Sequence, residues 1–172
     1  MRSRGTAFYA RLETPIGVVY VASSSRGVVL LSVRVDEECF KEKLLEMGFK
    51  PAQGGLVDGV IEQLREYFRG ERASFDLSLD VRGTPFQLTV WWAVETIPYG
   101  ETRSYKWVAE RVGRPRAVRA VGRALAANPV PIIIPCHRVV RSDGGLGGFS
   151  LGLRVKKFLL DLEAKNKCRF EV

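Results

Sequence analysis

Ser104-Tyr105-Lys106-Trp107-Val108-Ala109-Glu110-Arg111-Val112-Gly113-Arg114-Pro115-Arg116-Ala117-Val118-Arg119-Ala120-Val121-Gly122-Arg123-Ala124-Leu125-Ala126-Ala127 is the stretch on which the fold turns. Ser104 is suited to cap a helix, along which Tyr105, Val108 and Val112 recur at the helical period until Gly113 stops it. Pro115 suits the first turn of a second helix, which the pattern carries to Ala127. Two short helices joined through Gly113-Arg114-Pro115 predict a helix-turn-helix. At about 100° per residue, Arg116, Arg119 and Arg123 fall on one face of the second helix. Val118, Val121 and Leu125 fall on the opposite face, for a core. Ala120, Ala124 and Ala127 flank the arginines, so the basic face can come close to a partner. No Glu stands among the arginines for i,i+4 pairing, which points to an anionic partner such as nucleic acid.

The charge distribution agrees. The net charge of +8 lies wholly in the second half, since residues 1–84 hold 12 basic and 12 acidic side chains. A one-sided basic field of this kind attracts polyanions. A further break in composition, Arg82-Gly83-Thr84-Pro85, marks a boundary between residues 1–82 and 83–172. With 46% hydrophobic residues the chain can bury a core, and no apolar run reaches the roughly 20 residues of a membrane span. Met1-Arg2-Ser3-Arg4-Gly5 is basic, but no secretory apolar core follows. The expectation is a cytoplasmic protein without membrane contact, nuclear if the source is eukaryotic.

The fold class expected is α+β. The N-terminal part reads as a small antiparallel sheet with helices. Strands at Phe8–Leu12, Val18–Ala22 and Val28–Val33 are separated by Thr14-Pro15-Ile16-Gly17 and by Ser23-Ser24-Ser25-Arg26-Gly27. Asp36 can cap a helix ending near Met47, and a second helix carries Val57, Ile61, Leu64 and Phe68 on one stripe. Phe75–Leu79 alternates like a further strand. The C-terminal part reads as mostly helical. Thr84 and Pro85 open a helix to about Ile97, the helix-turn-helix follows, and Ile132-Ile133-Ile134 reads as a short buried active-site strand between prolines. A glycine-rich loop, residues 144–150, leads into a final helix with Val155, Phe158, Leu159 and Leu162 on its stripe.

The cysteines Cys39, Cys136 and Cys168 are an odd, unpaired set, unlike a disulfide framework. A zinc site would consume all three and the single histidine, His137, so no metal is expected. Cys136-His137 suits activation of a thiol, because the thiolate is the nucleophile and a nearby base favours it. On an extended segment the two side chains would diverge, so a water or a bent backbone would have to connect them.

Pro135-Cys136-His137-Arg138-Val139, preceded by Asn128-Pro129-Val130-Pro131 and the isoleucines, resembles the active-site signature of the O6-alkylguanine-DNA alkyltransferases. The resemblance runs from Thr84-Pro85-Phe86 through Ile97-Pro98-Tyr99-Gly100-Glu101-Thr102 and Arg119-Ala120-Val121-Gly122 to Glu163. It implies a DNA-repair protein that moves an alkyl group from guanine O6 to its own Cys136, once per molecule and without a cofactor. Cys136 would be held ready as an anion, His137 would take its proton through a water, and Glu163 would orient the imidazole. Tyr105 would donate to guanine N3, and Asn128 would be the hinge beside the active-site strand. Arg119 would either replace the extruded nucleotide in the stack or contact a phosphate. Ser104, Arg116, Ala120, Arg123 and Ala124 would meet double-stranded DNA in the minor groove, largely independently of sequence. Pro131, Val139, Gly147, Phe149 and Ser150 would form the pocket. Phe149 and Leu151 depart from the family pattern, and Leu151 would narrow the pocket against bulky alkyl groups. The resemblance implies a monomer. The alternative is a non-catalytic binder of alkylguanine lesions, whose relatives lack the acceptor cysteine.

Overall fold

The computed structural model describes residues 4–170. They form two compact units, which divide between Val81 and Arg82. In the first, β1 (Thr6–Thr14), β2 (Gly17–Ser24) and β3 (Gly27–Val33) make an antiparallel meander. Thr14 turns the chain, its hydroxyl donating to the Gly17 carbonyl at 2.6 Å, and Gly17 takes the φ of 110° that closes the hairpin. Helix α1 (Glu37–Glu46) follows. Asp36 stands at its N-cap with extended backbone, though its side chain makes no capping hydrogen bond.

A strand that the sequence pattern did not reveal, β4 (Lys50–Gln53), runs parallel to β1, pairing Thr6 with Lys50 and Tyr9 with Gln53. The sheet, in the order β3-β2-β1-β4, is therefore mixed rather than purely antiparallel. Ala7 and Tyr9 of β1 and Tyr20 and Ala22 of β2 lie two residues apart on one face, where Phe40 and Leu44 of α1 cover them. Burial of each of those last two side chains is worth about 1.5–3 kcal/mol. The expected strand at Phe75–Leu79 does not form. Only Leu79 bridges to Val28, with hydrogen bonds through Ser78 and Asp80. On α2 (Asp58–Phe68) the inward residues are Val60, Leu64 and Tyr67, with Val57 ahead of them, not Ile61 and Phe68. The Tyr67 ring lies 5.4 Å from that of Phe75, tilted by 37°.

The second unit opens with α3 (Pro85–Glu95), held by a capping box in which the Thr84 hydroxyl accepts from Gln87 N and Gln87 reaches back to Thr84 N. A two-residue strand, β5 (Arg103–Ser104), leads into α4 (Tyr105–Arg111), which Ser104 caps by accepting from Trp107 N at 3.0 Å. The next helix, α5 (Val118–Ala126), starts three residues later than Pro115. Pro115 and Arg116 form a turn closed by Ala117 N donating to the Arg114 carbonyl. Two corrections to the face arithmetic follow. Arg116 lies in the turn, not on the helical face, and Ala124 is buried, with its carbonyl accepting from Trp91 Nε1 at 2.8 Å. The inward stripe of α5 is Val121, Ala124 and Leu125, while Val118 is 37% exposed.

The isoleucine run is buried but is not a strand. Residues 131–134 form a tight turn with a single bridge between Pro131 and Ile134, and Ile132 adopts a φ of 78°. Pro129, Pro131 and Pro135 cannot donate to a ladder, so the segment cannot pair as a central strand. A left-handed β-branched residue costs about 1–3 kcal/mol and needs its surroundings to hold it. Cys136–Arg138 then form one 3₁₀ turn, followed by β6 (Val139–Val140) parallel to β5. Helix α6 (Leu153–Asn166) closes the unit, with a last 3₁₀ turn at Lys167–Arg169.

Candidate active site

Asn128, at the end of α5, organises the cysteine. Its Oδ1 accepts from Val130 N at 3.0 Å, and its Nδ2 donates to the Ile134 carbonyl at 3.0 Å and to Cys136 Sγ at 3.2 Å. The amide thus fastens the strained turn and the sulfur together, a bracket rather than a hinge. The 3₁₀ turn that carries Cys136 also carries His137 and Arg138, all three buried. His137 Nε2 lies 2.7 Å from Glu163 Oε1 on α6. Arg138 donates to both oxygens of the same carboxylate, at 2.9 and 3.0 Å, and its Nη1 reaches the Ile97 carbonyl at 2.7 Å. Gly100 N donates to Glu163 Oε2 at 3.0 Å. Each oxygen of Glu163 therefore accepts two hydrogen bonds in a site without solvent exposure.

These contacts set the charges. Burial pushes the Glu163 carboxyl upward, but the hydrogen bonds from His137 and Arg138 outweigh it and hold it well below the usual carboxylate range. Burial drives His137 the other way, toward the neutral ring, against the opposing pull of Glu163. Burial also pushes the Cys136 thiol up to about 11, with the Asn128 hydrogen bond and the Lys156 charge acting against it. Burial thus works against the anion expected to be held ready, while the Asn128 and Lys156 contacts work for it.

Cys136 lines a cavity of about 400 Å³ together with Tyr105, Gly122, Leu125, Ala126, Gly148, Phe149 and Ser150. Phe149 meets the His137 ring edge-on at 6.3 Å. The Tyr105 hydroxyl donates to the Gly148 carbonyl at 3.2 Å, and burial raises its pKa. Three residues expected in the pocket, Pro131, Val139 and Gly147, are not among those lining the cavity. Val139 and Pro131 are buried. Gly147, at a φ of 69°, sits so close to Tyr105 that a Cβ there would come within 2.7 Å of the hydroxyl. Leu151 is not among the lining residues either. The sequence pattern missed Gly122, Leu125 and Ala126, which α5 presents to the cavity.

It also missed Arg138, which the Cys-His motif contains, and Lys156. Lys156 has no exposed surface, and its Nζ donates to the carbonyls of Val139 at 2.6 Å, of Gly148 at 3.1 Å and of Leu146. A signal for Lys156 existed. Lys156, Leu159 and Glu163 stand at i, i+3 and i+7, one face of a helix, so a lysine and a glutamate were written into the inward stripe. On the outer side of α5, Arg119 and Arg123 are exposed and Ala120 is half-buried, with Arg116 exposed in the preceding turn. Ser104 is half-buried at its cap. Among the described residues no group of His, Cys, Asp and Glu could hold a metal ion, and no helix is long and apolar enough to cross a membrane.

Comparison with known proteins adds a finding for each half. Residues 85–165 match the model of the 6-O-methylguanine DNA methyltransferase DNA-binding domain, and residues 7–81 that of the ribonuclease-like domain of the same proteins. The methylated-DNA–protein-cysteine methyltransferase of Mycobacterium tuberculosis is 44% identical over 155 residues, covering 90% of this chain and 91% of that one. The protein of the same name from Methanosarcina barkeri is 43% identical over 166 residues, covering 92% and 98%. The crystal structure of Mycobacterium tuberculosis OGT in complex with DNA superposes with a TM-score of 0.82 at 40% identity, covering 92% of this chain and 94% of that one.

Proposed function

Because the chain belongs to the 6-O-methylguanine DNA methyltransferase family, we propose that it repairs alkylated DNA by moving the alkyl group from guanine O6 to Cys136 Sγ. One observation carries the reading: the buried Cys136 lines an open cavity, with a histidine–carboxylate–guanidinium chain on its own turn and on α6 behind it. The target oxygen is paired inside a duplex, so the damaged nucleotide is turned out of the stack into the cavity. Double-stranded DNA is the partner. Exposed Arg119 and Arg123 on α5, with Arg116 in its turn, meet the backbone, and the small side chain of Ala120 suits a close approach in the minor groove. Arg119 fills the gap the nucleotide leaves.

The chemistry is a displacement at the alkyl carbon. The Sγ–carbon bond forms as the O6–carbon bond breaks. The thiol proton passes by way of a water to His137, whose charge Glu163 balances, and Arg138 keeps that carboxylate ionised and in place. Tyr105 gives up its bond to Gly148 and donates to purine N3 as the departing ring gains negative charge. Asn128 holds the sulfur in line. The product is a thioether with no acyl carbon for water to attack, so each molecule acts once. We assign these steps to residues 83–172, and place the protein as a monomer in the cytoplasm.

Intact-mass measurement after mixing with an oligonucleotide containing O6-methylguanine, followed by peptide mapping, tests this. One added methyl on Cys136 is expected. Restored guanine with an unmodified Cys136 overturns the reading, and lesion binding with neither change makes the protein a non-catalytic binder instead.

A further inference from the structure

A fully buried lysine is expensive. Its ammonium must leave water, and an apolar side chain of similar length would fill the same space without that cost. Lys156 nevertheless occupies the inward face of α6 with no exposed surface. All three of its donors go to backbone carbonyls, one on Val139 beside the cysteine turn and two on Leu146 and Gly148 of the glycine-rich loop. Burial lowers its pKa only to about 8, so it is charged at neutral pH. Its Nζ lies 5.8 Å from the centre of the Tyr105 ring.

The Gly148 carbonyl is the informative atom. It accepts from Lys156 Nζ at 3.1 Å and from the Tyr105 hydroxyl at 3.2 Å, and Gly148 lines the cavity. Tyr105 can turn its hydroxyl to a purine only by abandoning this acceptor. Gly148 is exposed in the free protein, and a purine entering the cavity takes water from it, so a carbonyl deprived of its donors opposes the turn. Lys156 removes that obstacle, because its hydrogen bond remains when the tyrosine leaves.

We propose that Lys156 is a positioning residue for alkyl transfer, holding the Gly148 carbonyl so that the Tyr105 hydroxyl is free to move to the base. The inference rests on the reading of function above and concerns the same site. It differs from a general tie of the loop in requiring Lys156 to act on Tyr105, in addition to its charge near Cys136, which Lys156→Arg retains.

The test is a double-mutant cycle on the full chain, with single-turnover transfer from an oligonucleotide containing O6-methylguanine as the rate measured. Lys156→Met slows transfer about tenfold, the worth of one buried carbonyl without a donor. In the Tyr105→Phe background, where no hydroxyl has to move, the same substitution costs markedly less, and what remains is the lost charge near Cys136. Lys156→Arg, whose planar fork cannot aim at three carbonyls, gives the same pattern and stands in should the methionine variant not fold. Losses that multiply in the double variants overturn the proposal and leave Lys156 as a loop tie alone. A wild-type protein that fails to alkylate Cys136 refutes the reading of function instead, so the two failures are distinct.

Discussion

Glu163→Gln exposes how tightly the site is wired. The carboxylate accepts from His137 and Arg138 on Oε1 and from Arg138 and Gly100 on Oε2. A glutamine has one accepting oxygen and one donating nitrogen. Whichever way its amide is turned, the nitrogen faces an Arg138 donor, and the buried guanidinium loses its counter-charge. Breaking a buried pair from one side costs about 3–5 kcal/mol. In a chain of 172 residues that corresponds to a fall in Tm of about 6–20 °C.

The assay is denaturant unfolding of both proteins across pH. The Glu163 carboxyl is depressed in the folded state, so its contribution is complete above the unfolded value of about 4.3 and is lost as pH falls through the folded one. Wild type should exceed the variant by a constant margin from pH 6 to 8, and the margin should shrink as the medium is acidified below about pH 4. A variant within 1 kcal/mol of wild type at neutral pH would refute the reasoning, as would a margin indifferent to acid.

Three further outcomes are expected. Cys136→Ser binds alkylated duplex with near-native affinity and accepts no radiolabelled methyl; label on that variant would move the acceptor elsewhere. Arg119→Ala slows repair in duplex more than transfer from free O6-benzylguanine, which needs no extrusion, and equal losses with both substrates would reject its role in the stack. Affinity for undamaged duplex falls steeply between 50 and 200 mM salt, by about tenfold or more for a few phosphate contacts, and a flat titration would reject backbone anchoring.

What the sequence disclosed depended on whether local pattern and tertiary contact agreed. The meander, the Thr84 cap and the Ser104 cap were legible because each is decided within a few residues. The parallel strand β4 was not, since Lys50-Pro51-Ala52-Gln53 has little strand character and owes its shape to the neighbouring β1. The isoleucines misled because a short apolar run between prolines looks alike as a strand or as a buried turn, and only Asn128 decides. On α5 a start three residues late removed Arg116 from the face and left Ala124 in the core. The resemblance identified Cys136, His137 and Glu163, and the model brings them together. Lys156 was overlooked because a charged residue on an apolar stripe is ordinarily taken for surface.

Helix α5 is at once the basic outer element and a wall of the cavity, with Arg119 and Arg123 exposed and Gly122, Leu125 and Ala126 at the chamber. A side-chain-clad helix is only about 10–12 Å thick. On the function proposed above, the grip on nucleic acid and the border of the chamber belong to one helix. Substitutions meant to retune the grip on nucleic acid will therefore also retune which bases the chamber admits.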